Sequence, residues 1–150
     1  MIEKNSKIKV VFDTNIWISF LIGKRLSIIE KYISNRQIIV VVCEQLIEEI
    51  KEVTGREHVS KYFPDQKVLE LIFFLEKIAE KYEVIPQHFI SRDPKDNFLL
   101  DLVSVSIADY LVTGDKDLLT LHPFGTTAIL TAVDFEKVLT NNPRYNIRDD

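Results

Sequence analysis

The side chains in this sequence best suited to chemistry are carboxylates placed where apolar runs stop. Asp13 closes Ile8-Lys9-Val10-Val11-Phe12, and Asp115 follows Tyr110-Leu111-Val112-Thr113-Gly114. A third acid, Glu49, lies in the amphipathic stretch Glu44 to Thr54. At about 100° per residue, Leu46, Ile50 and Val53 form one stripe with Ile47 on one side. Glu49 falls on the opposite flank, close to the core, whereas Glu48 points to solvent. A fourth, Asp96, stands at the start of a helix expected from Asn97 to Ile107. As an N-cap it would satisfy an orphan backbone N–H, contributing ~1 kcal/mol, and it could still face the crevice. Asp101 sits inside that largely apolar helix, where a carboxylate needs a cation, a metal or hydrogen bonds. Asn97, one turn earlier, is a candidate partner, and a structural hydrogen bond is the favoured reading. Each of these acids also has a plain alternative: a helix cap for Asp13 and Asp115, a surface ion pair for Glu49.

Carboxylates converging on one crevice repel each other unless cations sit among them. All-oxygen ligation selects hard ions such as Mg²⁺ or Mn²⁺. The matching chemistry is phosphoryl transfer, in which two metals about 3.5–4 Å apart clamp the attacking and leaving oxygens. No nucleophilic side chain is required. Cys43 has no histidine near it in sequence and falls at a helix start, where it is expected to pack. Other chemistries are excluded or unsupported. The four glycines are too widely spaced for a Walker A loop or a GxGxxG fingerprint. One cysteine cannot make an internal disulfide or a cysteine-based zinc cluster, and the three histidines are too far apart for HExxH.

The elements that would position these acids alternate along the chain. Strands are expected at Ile8–Phe12, Ile38–Val42, Glu83–Ile85, Tyr110–Thr113 and Ala128–Leu130. Helices are expected at 14–22, 26–35, 44–54, 58–63, 65–82, 97–107 and 132–139. By composition the first could be a second strand, but the capping cluster Asp13-Thr14-Asn15 and Gly23 as a C′ residue favour a helix. Alternation of this kind implies an α/β domain with a mostly parallel sheet and helices on both faces. With 150 residues, 46% hydrophobic and 28% charged, the chain fits one globular domain. Residues 1–140 are assigned to it, and 141–150 to a polar, frayed tail. The N-terminus lacks the apolar core of an export signal, and no run reaches the ~18 apolar residues of a membrane span, so a cytoplasmic protein with no membrane partner is expected.

In this order and spacing the motifs resemble a PIN domain. They are Val-Val-Phe-Asp13-Thr14-Asn15; Glu49 in its helix; Asp93-Pro94-Lys95-Asp96-Asn97-Phe98-Leu99; and Ala108-Asp109-Tyr110-Leu111-Val112-Thr113-Gly114-Asp115-Lys116-Asp117-Leu118-Leu119. The resemblance covers roughly Lys7 to Leu139. It is strongest to the branch of toxin components of toxin–antitoxin systems (VapC-like), which Ile129-Leu130-Thr131 and Phe135 also fit. It implies a three-layer α/β/α fold and a Mg²⁺- or Mn²⁺-dependent ribonuclease using one or two ions. The family's catalytic, metal-binding quartet maps onto Asp13, Glu49, Asp96 and Asp115, with Asp117 as a further metal acid. Asn15 and Thr113 match its supporting polar residues, and Asn97 and Asp101 are supporting candidates. Cys43 departs from the Ser or Thr cap common at its position.

The partners implied are an RNA substrate and a small antitoxin; without an antitoxin, the reading is a PIN-type nuclease of RNA processing. A receiver-type Mg²⁺-binding signalling domain fits poorly, because no acid pair follows the first strand and Glu49 and Asp96 have no place in it. The complete quartet argues against an inactive RNA-binding module. Lys24, Arg25 and Lys116 are candidate substrate guides or ordinary solvated cations. Ile72-Phe73-Phe74-Leu75 is read either as core or as a homodimer surface. The net charge of −4 is weak evidence against RNA, since the five acids of the site account for it and leave a nearly neutral remainder. That balance still excludes a strongly basic, salt-driven binder.

Overall fold

A computed structural model describes residues 7–23, 27–86 and 94–145. Strands β1 (Ile8–Phe12), β2 (Ile38–Val42), β3 (Glu80–Lys81), β4 (Tyr110–Val112) and β5 (Ala128–Leu130) form one sheet in the order β3-β2-β1-β4-β5. All pairings are parallel, with Val10 opposite Val40 and Tyr110, and Phe12 opposite Val112. The chain winds outward through β2 to β3, then returns past β1 to build β4 and β5. The direction therefore reverses between β1 and β4, the point where ligands bind in open α/β sheets.

The helices are α1 (Thr14–Leu21), α2 (Ser27–Ser34), α3 (Glu44–Gly55), α4 (Glu57–Ser60), α5 (Asp65–Lys77), α6 (Pro94–Ser106), α7 (Lys116–Leu119) and α8 (Ala132–Asn141). Val10, Val11, Phe12, Val41, Val42, Leu111 and Val112 are all fully buried. This explains why β2 reads as an unbroken apolar run and β1 as one broken only by Lys9: both of their faces are largely covered. Phe12 meets Trp17 of α1 at 5.2 Å and Phe135 of α8 at 6.0 Å between ring centroids, both edge-on. Trp17 in turn meets Phe74 of α5 at 6.4 Å. These rings gather α1, α5 and α8 on one face of β1. The β3-to-β4 connection runs back the other way across the sheet, and its helix α6 packs against β1. Right-handed crossovers, the general rule, put helices of opposite winding on opposite faces, the three-layer arrangement.

The structure departs from the sequence expectation in several places. The long helix stops at Lys77 rather than Tyr82, because the N–H groups of Ile78 and Ala79 both turn back to the Phe74 carbonyl. Strand β3 is Glu80–Lys81 rather than Glu83–Ile85. At a sheet edge, backbone pairing places the strand, and Tyr82 N–H extends it by bonding the Val42 carbonyl at 2.9 Å. Helix α6 begins at Pro94, since proline suits a first helical position, and this moves Asp96 from the expected cap into the first turn. It ends one residue early, at Ser106, because Ile107 adopts a left-handed φ of 54°. Helix α7 was not expected, being too short to show a period. Residues 143–145 of the expected tail form a 3₁₀ turn, and Tyr145 packs against the core.

Candidate active site

Asp13 and Asp115 leave the C-terminal ends of β1 and β4, on either side of the reversal point. Asp13 is held from both flanks. Its N–H donates to the Val112 carbonyl at 3.0 Å, and its side chain caps α1, Oδ1 accepting from Thr14 N–H at 2.7 Å. The other oxygen, Oδ2, accepts from the Thr113 hydroxyl at 2.7 Å. Thr113 Oγ1 also accepts from Asp115 N–H at 3.0 Å. Asp115 caps α7, its Oδ1 accepting from Asp117 N–H at 2.9 Å. A continuous hydrogen-bonded relay thus runs Asp13–Thr113–Asp115–Asp117. Functional and capping readings of these aspartates are not exclusive, because each side chain caps with one oxygen and has a second.

Asp13 is 8% exposed. Burial pushes its carboxyl above the usual range, the bonds from Thr113 and Thr14 pull it down, and the charge of Asp115 pushes it up again. Two carboxylates that act on each other electrostatically are what a divalent cation relieves. Among the described residues, no group of three or more Asp, Glu, His or Cys side chains is drawn together to hold a metal ion. The donor chemistry of the coupled pair, all oxygen and one member buried, fits a hard divalent ion.

The other expected acids arrive on separate helices. Glu49 is half-buried in the second turn of α3, which packs on α1. Its charge, after burial and other local groups, helps raise the thiol of Cys43 at the end of β2. Cys43 occupies the N-cap position of α3, fully buried and without a side-chain cap bond, as expected for a packing residue. Asp96, Asn97 and Asp101 are all buried on α6, which lies against β1. Asn15 is exposed, and its carbonyl accepts from Ser19 Oγ. Lys116 is exposed beside the relay, while Lys24, Arg25 and Asp93 lie outside the described residues.

One residue at the site escaped the sequence reading. Thr14 is 3% exposed, and its hydroxyl has no hydrogen-bond partner among the described residues. A threonine directly after a capping aspartate carries no signal of this, since only packing decides which way its hydroxyl faces. Among the described residues no helix is long and apolar enough to cross a membrane.

The family description "PIN domain" matches residues 9–117, a span that includes Asp13, Glu49, Asp96, Thr113, Asp115 and Asp117. No curated protein sequence matches. Among solved structures, the PIN domain of human SMG5 is similar at 15% identity and a TM-score of 0.44, covering 86% of this chain and 96% of that one. PIN domains are generally nucleases, which is the activity class that the family match implies. With most of its length matched and the relay inside the matched span, this chain belongs to the PIN domain family.

Proposed function

We propose that this protein is a metal-dependent endoribonuclease that hydrolyses RNA phosphodiester bonds, acting in the cytoplasm as the toxin of a type II toxin–antitoxin system. The observation that carries the nuclease reading is the Asp13–Thr113–Asp115 relay at the reversal point of a parallel sheet. Asp13 and Asp115 would hold Mg²⁺ or Mn²⁺, with Glu49, Asp96 and Asp117 as the further acids. When bound, such an ion supplies positive charge to the scissile phosphate and acidifies the attacking water. Thr113 orients Asp13 by donating to Oδ2 and fixes the Asp115 backbone by accepting its N–H. Thr14 N–H and Asp117 N–H hold one oxygen of each carboxylate, so neither side chain is free to swing. Lys116, exposed between Asp115 and Asp117, would meet the RNA backbone.

The test is cleavage of a labelled single-stranded RNA with Mg²⁺, with Mn²⁺ and with EDTA. Cleavage that needs the ion and disappears in Asp13→Asn supports the reading; undiminished cleavage by that variant would sink the site. The toxin role has its own test. Induced expression should arrest growth, and a small partner protein should relieve the arrest. Cleavage without arrest leaves an RNA-processing nuclease with no antitoxin.

A further inference from the structure

Strand β5 is the last strand of the sheet, with β4 on one side only. Its Ala128 N–H bonds the Asp109 carbonyl and its Leu130 carbonyl accepts from Thr113 N–H, both at 3.0 Å. Groups along a strand alternate in direction, so the Ile129 N–H between them faces the open edge. A side chain fills that place: Nδ1 of His122 accepts from Ile129 N–H at 2.9 Å. The loop carrying His122 is itself tied down. Phe124 and Thr127 exchange two backbone hydrogen bonds at 2.9 Å, and the Thr127 hydroxyl donates to the Ala108 carbonyl at 2.6 Å.

We propose that His122 is a proton-operated clasp on β5 that sets the position of Thr113. An imidazole accepts at Nδ1 only while neutral, with its one proton on Nε2. When a proton from solvent binds Nδ1, two donors face each other and the bond to Ile129 is lost. Histidine is the side chain whose charge ordinarily changes between about pH 5 and 8. The lost bond frees the outer edge of the three-residue strand whose Leu130 carbonyl holds Thr113 N–H. Thr113 is the residue that bridges Asp13 and Asp115. The loop from Thr120 to Thr127 carries no carboxylate and no other cation. The charged groups on the helices touching β5 are Lys116 and Asp117 of α7, and Asp134, Glu136 and Lys137 of α8. Among the described residues no ion pair joins His122 to any of them, and the closed form of the clasp is the one the Ile129 bond shows.

The clasp itself needs neither RNA nor metal, and only its effect on cleavage rests on the nuclease reading. The test is therefore made on the free, metal-free protein labelled with ¹⁵N, from pH 8 to pH 5. Ring nitrogen shifts follow the protonation of His122, and amide shifts and hydrogen exchange follow Ile129 and Thr113. The variant His122→Asn keeps an acceptor near the Nδ1 position but cannot titrate; His122→Ala removes it. In the wild type, the protection of Ile129, its exchange rate taken relative to the intrinsic rate at each pH, should fall roughly 2- to 10-fold as His122 takes up its proton, the loss of one hydrogen bond. Thr113 should shift with the same midpoint. His122→Asn should keep Ile129 protected at both ends of the range, and His122→Ala should leave it unprotected throughout. An Ile129 amide that ignores His122 protonation, or an Asn variant that titrates like the wild type, overturns the clasp. A responding Ile129 with an unmoved Thr113 overturns its link to the site.

Discussion

Thr113 and Asp13 are 100 residues apart in sequence, yet the Thr113 hydroxyl donates to Asp13 Oδ2 at 2.7 Å. The bond joins the ends of β1 and β4, strands that pair directly in the sheet. It places one hydroxyl between two acids, donating to one and accepting from the backbone of the other. Substitutions at these positions separate what each contributes.

Thr113→Val keeps the shape and removes the hydroxyl. Asp13 Oδ2 loses its donor and Asp115 N–H its acceptor, so stability should fall by about 1–3 kcal/mol. The bond from Thr113 is also what holds the Asp13 carboxyl down against burial. Its loss should raise that pKa further and move the acid limb of a pH–rate profile to higher pH. Thr113→Ser should restore both. Denaturant unfolding and the pH profile of RNA cleavage read the two effects separately.

Asp13→Asn should inactivate the protein while making its metal-free form more stable at neutral pH. Asp13 has a raised folded-state pKa, so the folded protein binds more protons than the unfolded chain between the two values. Its contribution to stability is full below the unfolded value of about 4 and is lost as pH rises through the folded value. The advantage of the Asn variant should therefore be near zero in acid and grow from about pH 4 toward 7. Melting curves in EDTA at several pH values measure it, and a difference independent of pH would refute the account.

Mg²⁺ or Mn²⁺ should raise the melting temperature, and EDTA should reverse the rise. Binding to the folded state alone contributes about 2.7 kcal/mol at a hundredfold excess over the dissociation constant. Asp13→Asn and Asp115→Asn should each abolish most of the shift. Calorimetric titration with the ion alone checks the same claim without RNA.

The apolar run on α5 divides between two environments. Leu75 is fully buried, whereas Phe73 is 61% exposed, near Leu69 at 65%. Leu75→Ala should cost about 2–5 kcal/mol through the cavity it leaves. Phe73→Ser should change monomer stability by no more than about 0.5 kcal/mol. Light scattering after gel filtration then tests the homodimer: if α5 forms its surface, Phe73→Ser dissociates it and Leu75→Ala does so only by unfolding.

Ile107 ends α6 at φ 54° with its side chain 72% exposed. A β-branched residue is strained there, by roughly 1–2 kcal/mol, and its side chain recovers little by burial. Ile107→Gly should stabilise the protein by up to about 1 kcal/mol, after the entropy that glycine gains in the unfolded chain is counted. Chemical denaturation of the two proteins side by side gives the difference.

Local pattern was enough to determine β1, β2 and α1 from the sequence, because each is dominated by its own residues. Strands β1 and β2 are β-branched runs buried on both faces, and Asp13 and Gly23 bracket α1. Asp13 and Asp115 were legible as candidates for a related reason: strand ends are visible in sequence, and parallel sheets bring those ends to one side; Thr113 entered only through the family resemblance. Where long-range pairing or a local cap outweighed propensity, the sequence was silent or misleading. Strand β3 holds two charged residues and exists because Val41 and Val42 offer it an edge. Helix α7 exists because Asp115 caps a single turn, and α6 starts at Pro94 rather than Asn97. The relay from Asp13 through Thr113 to Asp115, the burial of the Thr14 hydroxyl without a partner among the described residues and the seat of His122 on β5 were decided by tertiary structure alone. Hydrogen bonds are directional and reach about 3 Å. Residue types and spacing can bring groups to the same end of a sheet, but only the packed strands and helices bring them within that reach.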